Sequence, residues 1–416
     1  MQRNRLTTTF ANGVRAVFPW RRRMILGLSR LVAPLPLSHV RPQEPVIVAG
    51  SLRAATGLGQ SARLCYLACA EVGLETYGID LGRYFRQDFG AGDFAFRDGR
   101  GSVGPGTLIL HVNAPFVPYA LALLGRRLVS QKWRIGYWAW ELPKVPQDWR
   151  RGAEFVHEIW VPSRFTAAAV GPIAGGRAVE VVAHPVAGPT REIDSAQGSG
   201  DFRVLTVFQA SSGGGARKNP LAAIEAFKRA FGADPTARLN VAALGLDRAP
   251  KIARELHAAI AGHDNIALDE RLLSNAQAHT RYEEADVLLS LHRSEGFGLI
   301  VAEAMAHGLP VVATNWSGNV DYLTSENGIP IRYELIPATD PEGIYNDPST
   351  CWAEPDIDEA ADALRRLRLD RVLRVRLGRR AAADIRSALS RERYVARVMQ
   401  LLRDGRGGGF STQAHE

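Results

Sequence analysis

The chain has 416 residues, of which 46% are hydrophobic and 8% aromatic. This length and composition predict two globular domains and exclude a disordered chain or a fibrous repeat. The formal net charge is +8, and the excess is concentrated in the first 43 residues, which contain eight arginines and no acidic residue. Three cysteines, Cys65, Cys69 and Cys351, make neither a disulfide framework nor a complete metal set, so we expect reduced cysteines in a cytoplasmic protein.

Residues 1–43 are predicted to form a basic N-terminal arm. Its stretch RAVFPWRRRMILGLSRLV places apolar side chains among clustered arginines: Phe18, Trp20, Met24, Ile25 and Leu26. That combination suits the interface of an anionic membrane, although a flexible basic extension would have the same composition. A cleavable signal is disfavoured because Arg30 interrupts the apolar run.

The first half of the chain then alternates short apolar strands with helices. The stretch PVIVAGSLRAATGLGQSARLCYLACAEVG predicts a strand, a glycine-containing loop and a helix. Further strands and helices are predicted, in this order, at TLILHV, YALALLG, WRIGYWAWEL, EIWVPSRFTAAAV and AVEVVAHPV. The alternation predicts a parallel sheet covered on both faces, which we assign to a first domain over residues 44–190. Prolines interrupt the uncharged residues 101–125, so this stretch is not a predicted membrane span.

A second series of strands and helices follows a break rich in Gly, Ser, Pro and Thr at residues 187–200. Its predicted elements are FRVLTVFQ, PLAAIEAFKRAF, RLNVAALG, IARELHAAIA, NIAL, HTRYEEA, DVLLSL and LIVAEAMAHG. We assign them to a second domain over residues 191–385, followed by an amphipathic helix over 386–405 and a flexible tail over 406–416. The expected architecture is α/β, with two doubly wound Rossmann-like domains and a cleft between them.

Ligands of such sheets bind at the carboxyl ends of strands, where loops lead into helices. In the first such loop, ATGLGQSARL, Gly57 and Gly59 let the backbone approach a ligand at a helix start. A tight turn without a ligand explains these glycines equally well. The loop lacks the third glycine of a dinucleotide fingerprint, which makes an NAD-dependent oxidoreductase the least favoured enzyme class.

The second loop lies in FQASSGGGARKNPLAAI, where three glycines follow a strand. Arg217 and Lys218 stand just before Pro220, which suits the first turn of a helix. Cations at a glycine-rich helix entrance predict a phosphate site, with a mobile surface loop as the alternative.

The third loop, HRSEGFG, joins the strand DVLLSL to a helix predicted from Leu299 to His307. Glu295 lies in this loop and Glu303 lies inside the helix. Eight residues of helix span about 12 Å, whereas the two carboxylates of a retaining glycosidase stand roughly 5 Å apart. We therefore expect the two glutamates to hold different parts of one extended ligand.

These motifs resemble a known enzyme family. The segment SEGFGLIVAEAMAHGLPVVATNWSGN is similar to the E-x7-E segment of retaining GT-B glycosyltransferases of family 4, and RKNPLAAIEAF resembles the diphosphate-binding loop of that family. The resemblance extends over roughly residues 44–400, and it is highly specific in the second domain and weak in the first.

The resemblance implies a role for each matching residue. Glu303 would hold the ribose of a nucleotide sugar, Glu295 the donor sugar's hydroxyls, and Lys218 with Arg217 would neutralise the leaving phosphates. The donor would also contact backbone N–H groups of the loop residues Gly296, Phe297, Gly298 and Leu299. No metal and no cofactor is implied, and the last helix would return to the first domain.

The chain departs from the family pattern in two places. Family members often carry a further arginine several residues before the lysine, where residues 211–215 here are Ser and Gly, with Arg217 as a candidate substitute. A histidine that often contacts the donor sugar is absent from RIGYWAWEL, and His111 is a candidate replacement, with a core histidine as the alternative. On the acceptor side, Trp138, Trp140 and Glu141 could line a sugar site or pack in the core.

The sequence thus predicts a hexosyltransferase that moves a sugar with retention from a nucleotide sugar to a glycan or lipid-linked glycan, in surface polysaccharide biosynthesis. The alternatives are a nucleotide-sugar epimerase of the same fold or a non-catalytic sugar-binding protein. We expect a cytoplasmic protein with peripheral contact to an anionic membrane surface, on the inner face of the plasma membrane, and no nucleic-acid partner.

Overall fold

The computed structural model describes residues 24, 26–54, 56–85, 94–188, 200–210, 214–271, 275–341, 343–345 and 347–404. Most of the arginine-rich arm, including Phe18, Trp20 and Ile25, lies outside the described residues, as does the predicted tail over 406–416. Within the described part of the chain, no helix is long and apolar enough to cross a membrane.

The first domain is built on a six-stranded parallel sheet with the strand order β2-β1-β3-β4-β5-β6. Its strands are β1 (Val46–Gly50), β2 (Thr76–Asp80), β3 (Gly106–His111), β4 (Lys132–Tyr137), β5 (Glu158–Val161) and β6 (Val179–Val181). Its helices are α1 (Gly57–Glu71), α2 (Gly82–Phe85), α3 (Val117–Leu124), α4 (Arg126–Val129), α5 (Trp149–Ala153) and α6 (Arg164–Val170).

Both faces of this sheet are buried, as the apolar strand pattern predicts. Along β1, Ile47 and Ala49 belong to one core cluster, whereas Val46 and Val48 belong to another. Successive side chains of a strand point to opposite faces, so the two clusters lie on opposite sides of the sheet. Helices on both faces of a parallel sheet make the doubly wound arrangement.

The second domain repeats this plan with the strand order β12-β11-β10-β7-β8-β9. Its parallel strands are β7 (Phe202–Gln209), β8 (Ala237–Leu244), β9 (Ile266–Asp269), β10 (Val287–Ser290), β11 (Val311–Thr314) and β12 (Ile329–Ile331). Its helices are α7 (Gly214–Lys218), α8 (Pro220–Phe231), α9 (Pro250–Ile260), α10 (Asn275–Glu284), α11 (Leu299–Ala306), α12 (Ile357–Leu369) and α13 (Arg371–Ala388). The prediction of two doubly wound domains is confirmed.

An antiparallel hairpin that the sequence analysis did not predict rises from the second domain. It consists of β13 (Tyr333–Ala338) and β14 (Asp347–Pro355). Three of its side chains, Ala338, Tyr345 and Trp352, are buried in the core cluster of the first domain. The hairpin therefore connects the two domains beside the cleft.

The last helix, α14 (Arg391–Asp404), also crosses between the domains. Its buried side chains, among them Tyr394, Val398 and Leu402, join the first-domain cluster that contains Val46 and Val48. Where the chain changes domains, the N–H of Val186 donates to the carbonyl of Leu389 at 2.9 Å. α14 thus packs on the first domain, whereas residues 386–388 end α13 and Leu389 is buried in a second-domain cluster, so the returning helix begins later than the predicted residue 386.

Candidate active site

The centre of the candidate site is the loop between β10 and α11. β7 and β10 are neighbouring parallel strands, so the loop after β10 lies next to the loop after β7 at the carboxyl edge of the sheet. The loop turns into α11 at Gly298, whose φ of +88° lies in the left-handed region. A Cβ there would come within 2.8 Å of the Tyr322 hydroxyl oxygen, so only glycine fits this turn.

The backbone of Glu295 is fixed on both sides. Its N–H donates to the hydroxyl oxygen of Ser317 at 2.7 Å, and its carbonyl accepts from the N–H of Gly318 at 2.9 Å. Ser317 itself has a φ of +75°, which is unusual for a residue other than glycine. The loop that carries Glu295 is therefore held by a second, strained turn that follows β11.

The Glu295 carboxylate is buried between two cations. Its Oε2 accepts from Arg217 Nη1 at 3.0 Å, and its Oε1 pairs with Lys218 Nζ. Burial would raise the pKa of Glu295, but the charges of Lys218 and Arg217 lower it to about 2. Glu295 is thus ionised at any physiological pH, with both oxygens engaged.

Arg217 is the more enclosed of the two cations. Its Nη1 also donates to the carbonyl of Ser294 at 2.8 Å, and its guanidinium carbon lies 5.4 Å from the ring centroid of Tyr345. Burial alone would lower the pKa of Arg217, but Tyr345, Glu295 and Glu141 raise it above its ordinary value. This side chain therefore stays charged and is held in one orientation.

Lys218 ends α7, directly before the left-handed residue Asn219 and the first turn of α8. Burial lowers the pKa of Lys218 from its ordinary value, although Glu295 opposes this shift. Within these two ion pairs the basic side chains carry one positive charge more than Glu295, and the Glu141 carboxylate also acts on both of them. An excess of positive charge beside the start of α11, where N–H groups have no intrahelical partner, favours an anionic ligand.

Glu303 lies within α11 and is partly buried. Its Oε2 accepts from the hydroxyl of Tyr282 at 2.9 Å, and the Tyr282 ring packs on His307 with a centroid distance of 5.1 Å. Burial and the neighbouring carboxylate raise the pKa of Tyr282, so the hydroxyl remains a donor. Glu303 and Glu295 therefore have different partners, as expected of two residues that serve different parts of a ligand.

The loop also meets the first domain directly. The hydroxyl of Ser163 donates to the carbonyl of Gly296 at 2.5 Å, and that of Thr166 donates to the carbonyl of Trp140 at 3.1 Å. A Cβ at Gly296 would stand 3.1 Å from the same Trp140 carbonyl oxygen, which is tighter than an ordinary contact. Gly296 thus lets the two domains approach closely at the site.

The remaining loop residues that the resemblance implied lie at the start of α11. Phe297 is buried and packs edge-on against His184, with a centroid distance of 5.0 Å. Leu299 is the first residue of α11 and is partly buried. The structure therefore brings Gly296, Phe297, Gly298 and Leu299 next to the ion cluster of Glu295.

The glycines of the first-domain loop have different surroundings. Gly59 lies in the first turn of α1, where its N–H donates to the Thr56 hydroxyl oxygen at 3.1 Å. A Cβ at Gly59 would come within 2.5 Å of the Ala54 carbonyl oxygen, so close packing within the chain requires this glycine. Gly57 has open space around its Cα, which leaves room for a ligand at the helix start.

His111 ends β3 and is buried. Its Nδ1 is 2.8 Å from the Ser61 hydroxyl, and its ring stacks on Tyr137 at a centroid distance of 4.6 Å. Nε2 is buried without a hydrogen-bond partner among the described residues. These contacts match the core histidine that the sequence analysis gave as the alternative.

The three acceptor-side candidates, Trp138, Trp140 and Glu141, behave differently. Trp140 is buried and packs against Trp149 at a centroid distance of 5.1 Å. Trp138 is fully buried and packs edge-on against Trp149 at 5.9 Å, which is the core position left open above. Glu141 faces the ion cluster: its Oε2 accepts from the Tyr345 hydroxyl at 3.0 Å, and its backbone carbonyl accepts from the Ser294 hydroxyl.

Several residues that shape the site were missed by sequence reasoning: Tyr282, Arg293, Ser317 and Tyr345. Arg293 shows the pattern best, because its guanidinium binds the carbonyl of Ala216 at 2.8 Å and the carboxylate of Glu354 at 2.6 Å. Each of these residues acts on a partner distant in sequence. The only local signal was for Arg293, which stands two residues before Glu295.

Among the residues that the structure describes, no group of three or more His, Cys, Asp or Glu side chains could hold a metal ion.

Comparison with known proteins agrees with this geometry. The family model for Glycosyl transferases group 1 matches residues 206–367, which include Arg217, Lys218, Glu295 and Glu303. None of the curated proteins matches the chain.

Solved structures similar to this chain include several glycosyltransferases. A mutant of S. aureus TarM, in complex with Fondaparinux, alpha-GlcNAc-glycerol and UDP, has a TM-score of 0.52 and 14% identity over 72% of this chain. This chain spans only 55% of TarM's length. Sucrose-phosphate synthase from Thermosynechococcus elongatus has a TM-score of 0.61 and 14% identity, with 87% of this chain and 99% of that chain covered. The Anabaena protein HepE, in complex with UDP and glucose, has a TM-score of 0.56 and 14% identity, with 87% and 100% covered.

These similarities establish the fold. Two parallel-sheet Rossmann-like domains, arranged as in GT-B glycosyltransferases, make up the described chain. At identities this low the neighbours define the architecture and not the substrate.

Proposed function

We propose that this protein is a retaining glycosyltransferase, of the hexosyltransferase type, that uses a nucleotide-sugar donor. The observation that carries the proposal is the buried cluster of Arg217, Lys218 and Glu295 at the carboxyl edge of the second sheet, beside the start of α11. The basic side chains suit the negative charge of a diphosphate leaving group, and the carboxylate suits the hydroxyls of a sugar.

The diphosphate would lie against Lys218, at the start of α11. A nucleoside diphosphate gains negative charge as the glycosidic bond breaks, so a fixed cation stabilises the transition state more than the ground state. Lys218 has one partner, Glu295, among its described side-chain contacts. Because basic side chains of the protein stabilise the charge of the leaving group, we propose no metal ion for this role. We propose no cofactor either.

Glu295 would bind the hydroxyls of the donor sugar and not attack its anomeric carbon. Both of its oxygens are paired with cations, and Lys218 and Arg217 lower its pKa to about 2 against the effect of burial. A carboxylate stabilised in this way is a poor nucleophile. We therefore propose same-face attack by the acceptor, whose proton passes to the departing phosphate oxygen.

Glu303 would hold the ribose. Because Tyr282 occupies Oε2, it fixes the carboxylate plane, and a ribose with two adjacent hydroxyls is the part of a nucleotide sugar that suits an oriented carboxylate. The backbone N–H groups of Phe297, Gly298 and Leu299 would complete the donor site at the helix start.

The acceptor would enter from the first domain, near Glu141. The Glu141 side chain faces Arg217 and Tyr345. Trp138, another acceptor-side candidate, lies in the core. We propose a glycan or lipid-linked glycan as acceptor, in surface polysaccharide biosynthesis, and a cytoplasmic protein with peripheral contact to the inner face of the plasma membrane.

The donor can be tested before the acceptor is known. A thermal-shift screen of UDP-, GDP- and ADP-sugars should show stabilisation by one nucleotide class, because any ligand of the folded state raises its melting temperature. The stabilising donor is then incubated with the protein alone and with candidate acceptors. A donor sugar changed without acceptor would identify an epimerase, and binding without turnover under any acceptor would indicate a sugar-binding protein.

A further inference from the structure

Residues 26–37, here called the apolar segment, carry an unusual set of exposed side chains. Of the sixteen large hydrophobic residues recorded as exposed in the described chain, five lie in these twelve positions: Leu28, Leu31, Val32, Leu35 and Leu37. Leu31 is 83% exposed and Val32 70%. Contiguous exposed apolar surface on a folded protein marks a site of contact with a partner or a membrane.

The apolar segment is attached to the first domain and is not a free tail. Residues 26–32 are helical, and Ala33 is buried in the core cluster of the first domain. Arg134 Nη1 donates to the carbonyl of Pro34 at 2.6 Å. His157 Nδ1 accepts the N–H of Arg134 at 2.8 Å, so its Nε2 carries the proton and donates to the Leu37 carbonyl at 3.1 Å.

Arg134 also connects the segment to a basic helix. This fully buried guanidinium donates to the carbonyl of Val129, the last residue of α4, at 3.0 Å. The first two residues of α4, Arg126 and Arg127, are both exposed. Leu123, in the preceding helix α3, is exposed as well.

The charged residues in the sequence around the segment are all basic. Residues 1–43 contain eight arginines and no acidic residue, and six of these arginines precede the segment within residues 1–23. Two copies of this chain would therefore repel each other at this surface, as would any basic partner. An anionic surface with an apolar interior satisfies both the charge and the exposed leucines.

We propose that the apolar segment inserts into the interface of an anionic lipid bilayer, with Arg126 and Arg127 against the lipid headgroups. Leu28, Leu31, Val32 and Leu35 enter the boundary between headgroups and acyl chains. Because Ala33 and the hydrogen bonds of Arg134 hold the segment to the first domain, an inserted segment would hold that domain at the membrane. The proposal does not depend on the transfer reaction, because it concerns a different surface from the ion cluster of Glu295.

The test is binding of the full-length protein to vesicles. Flotation at low salt compares vesicles of equimolar phosphatidylglycerol and phosphatidylcholine with vesicles of phosphatidylcholine alone. The triple variant Leu31→Ser, Val32→Ser, Leu35→Ser should bind the anionic vesicles at least roughly tenfold more weakly, because each change removes apolar area that would enter the bilayer. Its melting temperature should match that of the wild type, since these side chains are exposed.

A matched control uses exposed apolar residues on another surface. Leu369 and Val372, at the junction of α12 and α13, are 86% and 79% exposed and stand among arginines. The double variant Leu369→Ser, Val372→Ser should bind as the wild type does. The pair Arg126→Gln, Arg127→Gln should weaken binding roughly 25-fold at low salt and little at high salt, since each basic residue near such a surface contributes about fivefold.

Three results would overturn the proposal. The first is a wild-type protein that stays with the soluble fraction in the presence of anionic vesicles at low salt. The second is a triple variant that binds as well as the wild type. The third is equal loss of binding in the Leu369 and Val372 control, which would assign the contact to the second domain. A wild-type dimer that the triple variant converts to monomer, without vesicle binding, would identify a second copy as the occupant instead.

Discussion

Removing the Lys218 ammonium is the most direct perturbation of the proposed chemistry. With Lys218 present, two positive charges surround the carboxylate of Glu295, and the Glu141 carboxylate lies beside them. Lys218→Ala leaves Arg217 as the cation paired with Glu295, so an arriving diphosphate meets one positive charge fewer. The charge lost is the one closest to the proposed leaving group.

The size of the effect follows from the position of that charge. Two unit charges about 4 Å apart interact by roughly 4 kcal/mol near a protein surface. Loss of one preorganised contact of this kind costs about 2.7–4 kcal/mol in the transition state, which is roughly 100- to 1000-fold in kcat. We expect a smaller change in donor affinity, because the bound ground state has less charge on the bridging oxygen.

The assay compares kcat and donor Kd for Lys218→Ala, Lys218→Arg and a control. Lys251 is a suitable control because it is an exposed lysine of the same domain that pairs with Glu255 on its own helix. Lys251→Ala should be silent, and Lys218→Arg should recover part of the rate because it restores the charge. Near-normal kcat in Lys218→Ala would refute the assignment, as would a rate loss that follows a proportional loss of folded protein.

Three further predictions concern other carboxyl groups of the chain. Glu295→Gln should lower kcat while nucleotide affinity, measured by calorimetry, stays near the wild-type value. Glu303→Gln should instead weaken nucleotide binding. The reverse pattern would mean that the two roles are exchanged. Tyr282→Phe should resemble a mild Glu303→Gln, because it removes one bond of 2.9 Å to that carboxylate. Burial raises the pKa of Glu158 from 4.5 to about 7, although the hydrogen bond from Trp160 opposes this shift. The folded protein therefore keeps a proton that the unfolded chain loses, and the wild type should lose about 3 kcal/mol of stability as pH rises from 4.5 to 7. Urea unfolding of Glu158→Gln should lack this loss, and an equal pH dependence in both proteins would contradict the account.

The parts of the site that the sequence predicts are those in which one local unit carries the geometry. Glu295, Gly298 and Glu303 belong to a single strand, loop and helix, so their order along the chain determines their order in space. Gly298 has the left-handed φ that a turn before a helix requires. For the same reason α11 begins at the predicted Leu299, and it ends one residue before the predicted His307.

Contacts between distant segments could not be predicted in the same way. Lys218 and Glu295 are 77 positions apart, and they meet because β7 and β10 are neighbours in the sheet. Strand order depends on how all the elements pack together, and a strand's own residues do not specify its neighbour. The bond from Tyr282 to Glu303 has the same origin.

The hairpin of β13 and β14 was missed for another reason. Its strands, YELIPA and DPSTCWAEP, mix polar residues and prolines with a few apolar ones and lack the periodic apolar pattern that predicts a strand. The decisive fact is where its side chains are buried, and Trp352 is buried in the first domain although its backbone belongs to the second. Only the tertiary structure contains that information.

The position of the hairpin connects the proposed donor site to the approach of the two domains. Tyr345 contacts Arg217 through its ring and Glu141 through its hydroxyl, so one side chain joins α7 of the second domain to the first domain. Arg293 binds both the backbone of Ala216 and Glu354 of the hairpin. A movement that separates the domains must therefore break contacts of the same residues that orient Arg217. Because Arg217 in turn orients Glu295, the ion cluster keeps its geometry only while the first domain, which would supply the acceptor, is in contact with it.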